Sequence, residues 1–211
     1  MEPFTVVEGI AAPLPAANID TDVIMPKMYL KGVDRGGLVD GVFHDLRFEP
    51  DGAPNQTFIL NQPAYKPARF LVVGPNFGCG SSREHAVWGL RQFGIRALIG
   101  TSFAGIFFDN CARNGLLALT LPADQLSELV EVASDPARNR FSVDLDAQTI
   151  VNDQGGIAFT IEPFLKAMLL KGLDAVGMTL DGAEDIERFE ERRLSTHPWL
   201  RRAALAAAAA R

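Results

Sequence analysis

Residues 69–90 read RFLVVGPNFGCGSSREHAVWGL, and their order decides the fold class. FLVVG is a short, continuous apolar run, the pattern of a strand buried on both faces. A glycine-rich turn follows, and from Ser82 to about Phe93 the spacing predicts a helix with Ala86, Leu90 and Phe93 on one stripe. Strand, glycine turn and helix in that order make an α/β unit whose turn carries a thiol, two hydroxyls, a guanidinium, a carboxylate and an imidazole.

The same alternation continues outward. RALIGTS is a second strand, FAGIFFDNCARNG a helix closed at Gly115, and LLALTLP a third strand. Residues 123–134 form an amphipathic helix on Leu126, Leu129, Val130 and Ala133. RFSVDLDAQTIVNDQGGIAFTI reads as a hairpin turning at Gly155-Gly156, and Pro163 opens another helix. Upstream, FTVVEGIAAPLP is a strand running into a proline turn, residues 31–41 are a long glycine-rich loop, and the stretch to Pro67 is irregular. At the far end EDIERFEERR is a charged helix and RRAALAAAAAR a low-complexity tail. The expected organisation is one domain over residues 1–194 with a flexible Ala-rich tail over 195–211.

Composition excludes several classes. The 211 residues are 47% hydrophobic and 22% charged, ordinary for a globular chain that buries a full core. A formal net charge of −6 speaks against nucleic acid as a partner. The start lacks a signal-peptide pattern and no apolar run is long enough to span a bilayer, so no membrane partner and a cytoplasmic location are expected. Cys79 and Cys111 are the only cysteines, which fits a reducing compartment. Two thiols also fall short of the three or four that an iron–sulfur cluster takes, so no metal site is expected on this chain.

The loop itself is an anion site on physical grounds. Backbone N–H groups at a helix start point into the turn and the helix dipole favours negative charge there. Gly78 and Gly80 permit positive φ and close approach of a ligand, and Arg83 adds a fork suited to a carboxylate or phosphate. The P-loop lysine, the second glycine of a nucleophile elbow and the third glycine of a dinucleotide fingerprint are all missing. Each residue also has a plainer reading: Ser81 or Ser82 as a helix cap, Glu84 as a dipole partner, His85 as a hydrogen-bonded structural group, Cys79 and Cys111 as packed thiols. Asp20-Thr21-Asp22 is a turn or cap, or a source of a carboxylate that orients a catalytic group or holds an arginine.

NFGCGSSREHA together with NIDTDVIMP resembles the small subunit of 3-isopropylmalate dehydratase (isopropylmalate isomerase), a relative of the mobile last domain of aconitase. TSFAGIFFDN, NGLL and GLDAVGMTL extend the resemblance from Phe4 to about Arg193. It implies a swivelling β/β/α domain that forms a heterodimer with a separate large subunit. The resemblance also implies a cubane iron–sulfur (4Fe–4S) cluster on that partner, whose open iron would serve as Lewis acid toward the departing hydroxyl. The implied reaction is the isomerisation of 2-isopropylmalate and 3-isopropylmalate by dehydration and rehydration, in leucine biosynthesis. By the same resemblance Ser81 is the base and Asp22 an active-site acid, paired to a polar partner across the subunit interface. Ser82, Arg83, Thr21 and Gly80 contact a dicarboxylate substrate. Substrate choice is attributed to the loop over residues 27–37, where this chain has Arg35-Gly36-Gly37 in place of the Arg-Thr-Gly of many bacterial relatives. Citramalate, dimethylmalate and homoaconitate are the alternative substrates, and an anion-binding module without chemistry is the alternative from another class.

Overall fold

The computed structural model describes residues 1–30 and 36–200. These residues fall into two compact units, Met1–Gly172 and a C-terminal unit beginning at Leu173. The division lies inside the range over which the sequence suggests a single domain. In the C-terminal unit, α7 (Ala175–Leu180) is capped by Asp174, whose Oδ1 accepts from the Gly177 N–H, and α8 spans Ala183–Thr196. The tail beyond Leu200 lies outside the described residues, as does Arg35.

The first unit is built on one seven-stranded sheet. Its strands are β1 (Val6–Leu14), β2 (Ala68–Val73), β3 (Ala97–Gly100), β4 (Leu117–Thr120), β5 (Arg140–Asp144), β6 (Thr149–Asn152) and β7 (Gly155–Ala158), in the order β4-β3-β2-β1-β5-β6-β7. β1 to β4 are mutually parallel, whereas β5, β6 and β7 continue from β1 as an antiparallel meander. Helices α3 (His85–Phe93) and α4 (Gly105–Arg113) form the crossovers from β2 to β3 and from β3 to β4, and α5 (Ala123–Ser134) and α6 (Pro163–Lys171) follow β4 and β7.

Alternation along the strands explains two cores. Leu71 and Val73 of β2, Leu98 of β3 and Ala118 of β4 share one apolar cluster with Val87 and Leu90 of α3 and Phe107 of α4. Phe70 and Val72, Ala97 and Ile99, and Leu117 and Leu119 point the other way, to a cluster with Leu126 and Leu129 of α5 and Leu169 of α6. Successive side chains of a strand face opposite sides, so an unbroken apolar run such as FLVV fills both. β2, β3 and most of β4 are therefore buried on both faces, as their composition requires.

Three local readings differ from expectation. α3 starts at His85 rather than near Ser82. Gly155 and Gly156 are not the hairpin turn but the first residues of β7, paired with Asn152 and Val151. The turn is Asp153-Gln154, held by the Asn152 Oδ1, which accepts from the Gln154 N–H. The stretch from Val42 to Pro67 is not wholly irregular, since it holds α2 (His44–Arg47) and a tight 3-10 turn at Ile59–Asn61, and the end of the 31–41 loop holds another at Val39–Gly41. No helix among the described residues is long and apolar enough to cross a membrane.

Candidate active site

β1 and β2 are neighbours and parallel, so the loops leaving their carboxyl ends run side by side. The pairing continues past the strands. The Asn18 N–H donates to the Pro75 carbonyl at 2.9 Å, Gly78 N–H to Ile19 at 2.7 Å and Thr21 N–H to Cys79 at 2.7 Å. The two motifs seen as separate in the sequence are thereby one structure, with α1 (Thr21–Ile24) on one side and the serine loop on the other. Asp20 caps α1, its Oδ1 accepting from the Val23 N–H at 2.8 Å, which settles its role as a cap.

The glycines allow this approach. Gly78 has φ +78, and a Cβ there would stand 2.2 Å from the Phe107 ring. Gly80 has φ +102 and faces Asp20 and Thr21, with a Cβ position 3.5 Å from the Thr21 Oγ1. Between them Cys79 is half-buried, its carbonyl spent on Thr21.

Ser81 Oγ accepts two hydrogen bonds. One comes from the hydroxyl of Thr21, a residue only 3% exposed, at 2.9 Å; the other comes from the Arg83 backbone N–H at 3.4 Å. That second bond, from residue i+2 to a serine oxygen, is a local turn that competes with helix. It places Ser81, Ser82 and Arg83 ahead of α3 rather than in its first turn, and neither serine is a helix cap. Glu84 occupies the cap position without a side-chain cap bond.

The Arg83 guanidinium donates to the Asp22 Oδ1 at 2.7 Å, and Lys27 Nζ lies 3.4 Å from the other oxygen, Oδ2. Asp22 thus holds two cations of its own chain, whereas the resemblance implies a polar partner across an interface. Lys27 opens the 27–37 loop to which substrate choice is attributed, and its pairing with Asp22 is not something the motifs name. Arg83 and Asp22 side chains are 41% and 44% exposed, so their charges face outward as well as toward each other. Ser82 and Gly80 are exposed at the same rim.

Behind the rim, Asn110 of α4 donates from Nδ2 to the Ser82 carbonyl at 3.1 Å, and Asn114 donates from Nδ2 to Glu84 Oε2 at 3.1 Å. Trp88 Nε1 donates to the same Glu84 oxygen at 3.1 Å and to Asn114 Oδ1 at 2.9 Å. His85 packs against Trp88 with its ring tilted by 47°, centroids 4.7 Å apart, and its buried Nδ1 has no hydrogen-bond partner among the described residues. Cys111 is fully buried, and burial pushes its thiol well above the usual range, so it is a packed thiol. Among the described residues no group of three or more His, Cys, Asp or Glu is placed to hold a metal.

The arrangement offers a hydroxyl oxygen held by two donors, beside a guanidinium, on an open face. It can stabilise negative charge on Ser81 and receive a carboxylate at Arg83.

Comparison with known proteins gives the relatives of this arrangement. The model of the aconitase C-terminal domain matches residues 1–124, and that of the C-terminal domain of the 3-isopropylmalate dehydratase small subunit matches residues 176–203. The second match runs past the Phe4–Arg193 span over which the motifs carry the resemblance. The small subunit 1 of 3-isopropylmalate dehydratase from Mannheimia succiniciproducens is 58% identical, over 95% of this chain and 100% of its own length. The small subunit 2 from Salmonella typhimurium is 52% identical, over 97% and 98%. Among solved structures, 3-isopropylmalate dehydratase from Methanocaldococcus jannaschii superposes with a TM-score of 0.63 at 26% identity, over 88% of this chain and 99% of that one.

Proposed function

This chain belongs to the family of 3-isopropylmalate dehydratase small subunits, with the fold of the last aconitase domain, and on that premise we propose how its serine loop takes part in the reaction. The chain is a hydro-lyase subunit of leucine biosynthesis, which interconverts 2-isopropylmalate and 3-isopropylmalate through 2-isopropylmaleate. Its share of the work is proton transfer and carboxylate binding.

The observation that carries this reading is the pair of donors on Ser81 Oγ, the Thr21 hydroxyl and the Arg83 amide. Serine is a weak acid, and hydrogen bonds to the charged form are what lower the cost of an alkoxide. Ser81 takes the proton from the C–H carbon, the C–O bond of the neighbouring carbon breaks, and the alkene forms as hydroxide leaves, which the Lewis acid of the large subunit would take up. In the rehydration step Ser81 gives that proton to the carbon that lost hydroxide, and hydroxide adds to the carbon that lost the proton.

Arg83 binds a substrate carboxylate with donors beyond the Nη2 that Asp22 holds. Asp22 keeps the fork and Lys27 in place, Ser82 meets substrate at the rim, and Gly80 admits it without a Cβ clash. Thr21 acts through its hydrogen bond to Ser81. Arg35 completes the substrate loop in this reading, outside the described residues.

The iron–sulfur cluster implied by the family is assigned to the large subunit. The two cysteines here are free, Cys111 is fully buried, and no ligand set surrounds them among the described residues. The open face of the loop is what a heterodimer with that subunit would close. Free thiols also suit a cytoplasmic enzyme.

The test is to mix the purified chain, without oxygen, with the cluster-loaded large subunit and follow the alkene absorbance of 2-isopropylmaleate formed from 3-isopropylmalate. Absorbance that needs both chains is expected. A well-formed complex that leaves 3-isopropylmalate untouched and dehydrates citramalate would overturn the substrate.

A further inference from the structure

The reacting groups stand on a loop, and a loop holds a geometry only if something rigid holds the loop. One face of α4 lies along this one. Phe107 and Asn110 are spaced i and i+3 and share a side of the helix, and Asn114 is the residue that caps its C-terminus. Each meets a different point of the loop: Phe107 packs where Gly78 has no Cβ, Asn110 bonds the Ser82 carbonyl, and Asn114 bonds the Glu84 carboxylate. Asn110 is the telling member. It is a polar side chain only 5% exposed on a helix face that otherwise supplies Phe107 and Cys111 to the core. A buried amide there is costly unless its hydrogen bonds are made.

The Ser82 carbonyl and the Arg83 N–H belong to the same planar peptide group and point in opposite directions. Asn110 holds the carbonyl end at 3.1 Å, and the N–H end is the donor that reaches Ser81 Oγ at 3.4 Å. We propose that Asn110 is a positioning residue for Ser81, acting through the Ser82–Arg83 peptide plane, with Asn114 and Glu84 securing the far end of the same loop. A peptide that accepts a hydrogen bond at its oxygen is also a better donor at its nitrogen, so the contact polarises as well as aims. The inference rests on the reading of Ser81 as the base.

The test compares wild type, Asn110→Ala and the near-isosteric Asn110→Asp, each assembled with the large subunit. Thermal stability, kcat and KM across pH, and hydrogen exchange of the Arg83 amide are measured for each, with Ser81→Ala run alongside. For Asn110→Ala the expected result is a kcat lower by about 10- to 100-fold with KM within about twofold. The rising limb of its kcat–pH profile moves to higher pH, because a hydroxyl with one poorer donor is a weaker acid. Its Arg83 amide exchanges faster. In Asn110→Asp the buried carboxyl has its pKa raised, and when protonated it can donate to the Ser82 carbonyl again. Its kcat relative to wild type therefore rises as pH falls.

A role in stability alone would lower the melting temperature while kcat, the pH limb and amide exchange stay as in wild type, and that outcome overturns the proposal. Retained turnover in Ser81→Ala would instead remove the base assignment. Arg83 exchange then decides the remainder: faster exchange in Asn110→Ala keeps the orienting role, and unchanged exchange overturns it.

Discussion

Ser81 and Thr21 are 60 positions apart in sequence, yet one hydroxyl donates to the other at 2.9 Å, and the chemistry assigned to the loop depends on that contact. Thr21→Val keeps the shape of a side chain that is 3% exposed and removes only the donor. A hydrogen bond to a charged group contributes about 1.5–3 kcal/mol, so kcat should fall by roughly 10- to 100-fold. The sign of the pH effect follows: losing a donor raises the serine pKa, so less alkoxide exists at any given pH and the deficit is larger at low pH. Steady-state kinetics of the assembled variant from mildly acidic to alkaline pH would measure both. At this scale the two motifs name Ser81, Ser82, Arg83, Thr21 and Asp22, and the structure brings those motifs side by side. The motifs gave no role to Asn110 and Asn114, although TSFAGIFFDN ends on the first and NGLL begins with the second, because their partners exist only once α4 crosses the loop. Two asparagines four apart beside Phe107 and Cys111 on a core-facing helix were the signal available.

At the scale of elements, the strand–helix order from β2 to α5 was legible because apolar runs and stripes are dictated by burial on each side of a sheet. The start of α3 was not. Serine is a good helix cap, but here the Ser81 oxygen takes the Arg83 N–H and the Ser82 carbonyl goes to Asn110, so those residues are committed before the helix begins. A Gly-Gly pair likewise suggests a turn, whereas the Asn152 side chain builds the turn one step earlier and leaves the glycines to pair in β7. Gly78 is the place where an element depends on a single hydrogen atom. Gly78→Ala would force a left-handed backbone, φ +78, on a residue with a side chain and drive its Cβ to 2.2 Å from the Phe107 ring. Strain and overpacking each cost about 1–3 kcal/mol, so denaturant unfolding should show a loss of at least about 2 kcal/mol. A loss under about 0.5 kcal/mol would mean that α4 does not press on the loop.

For the whole molecule, the sheet topology explains why two distant motifs act together: β1 and β2 are adjacent and parallel, so both loops emerge at one edge, where ligands of parallel sheets bind. That edge is open, with Arg83 and Asp22 both more than 40% exposed. In the proposed heterodimer the large subunit would close it and bring the metal chemistry, while this chain would bring the proton acceptor. The division of labour is tested most directly by one measurement, the kcat of Ser81→Ala assembled with the large subunit, with complex formation checked by sedimentation. The account predicts an intact complex, KM little changed and kcat lower by about 1,000-fold or more, as expected for loss of a general base. An intact complex whose kcat stays within about tenfold of wild type would contradict it.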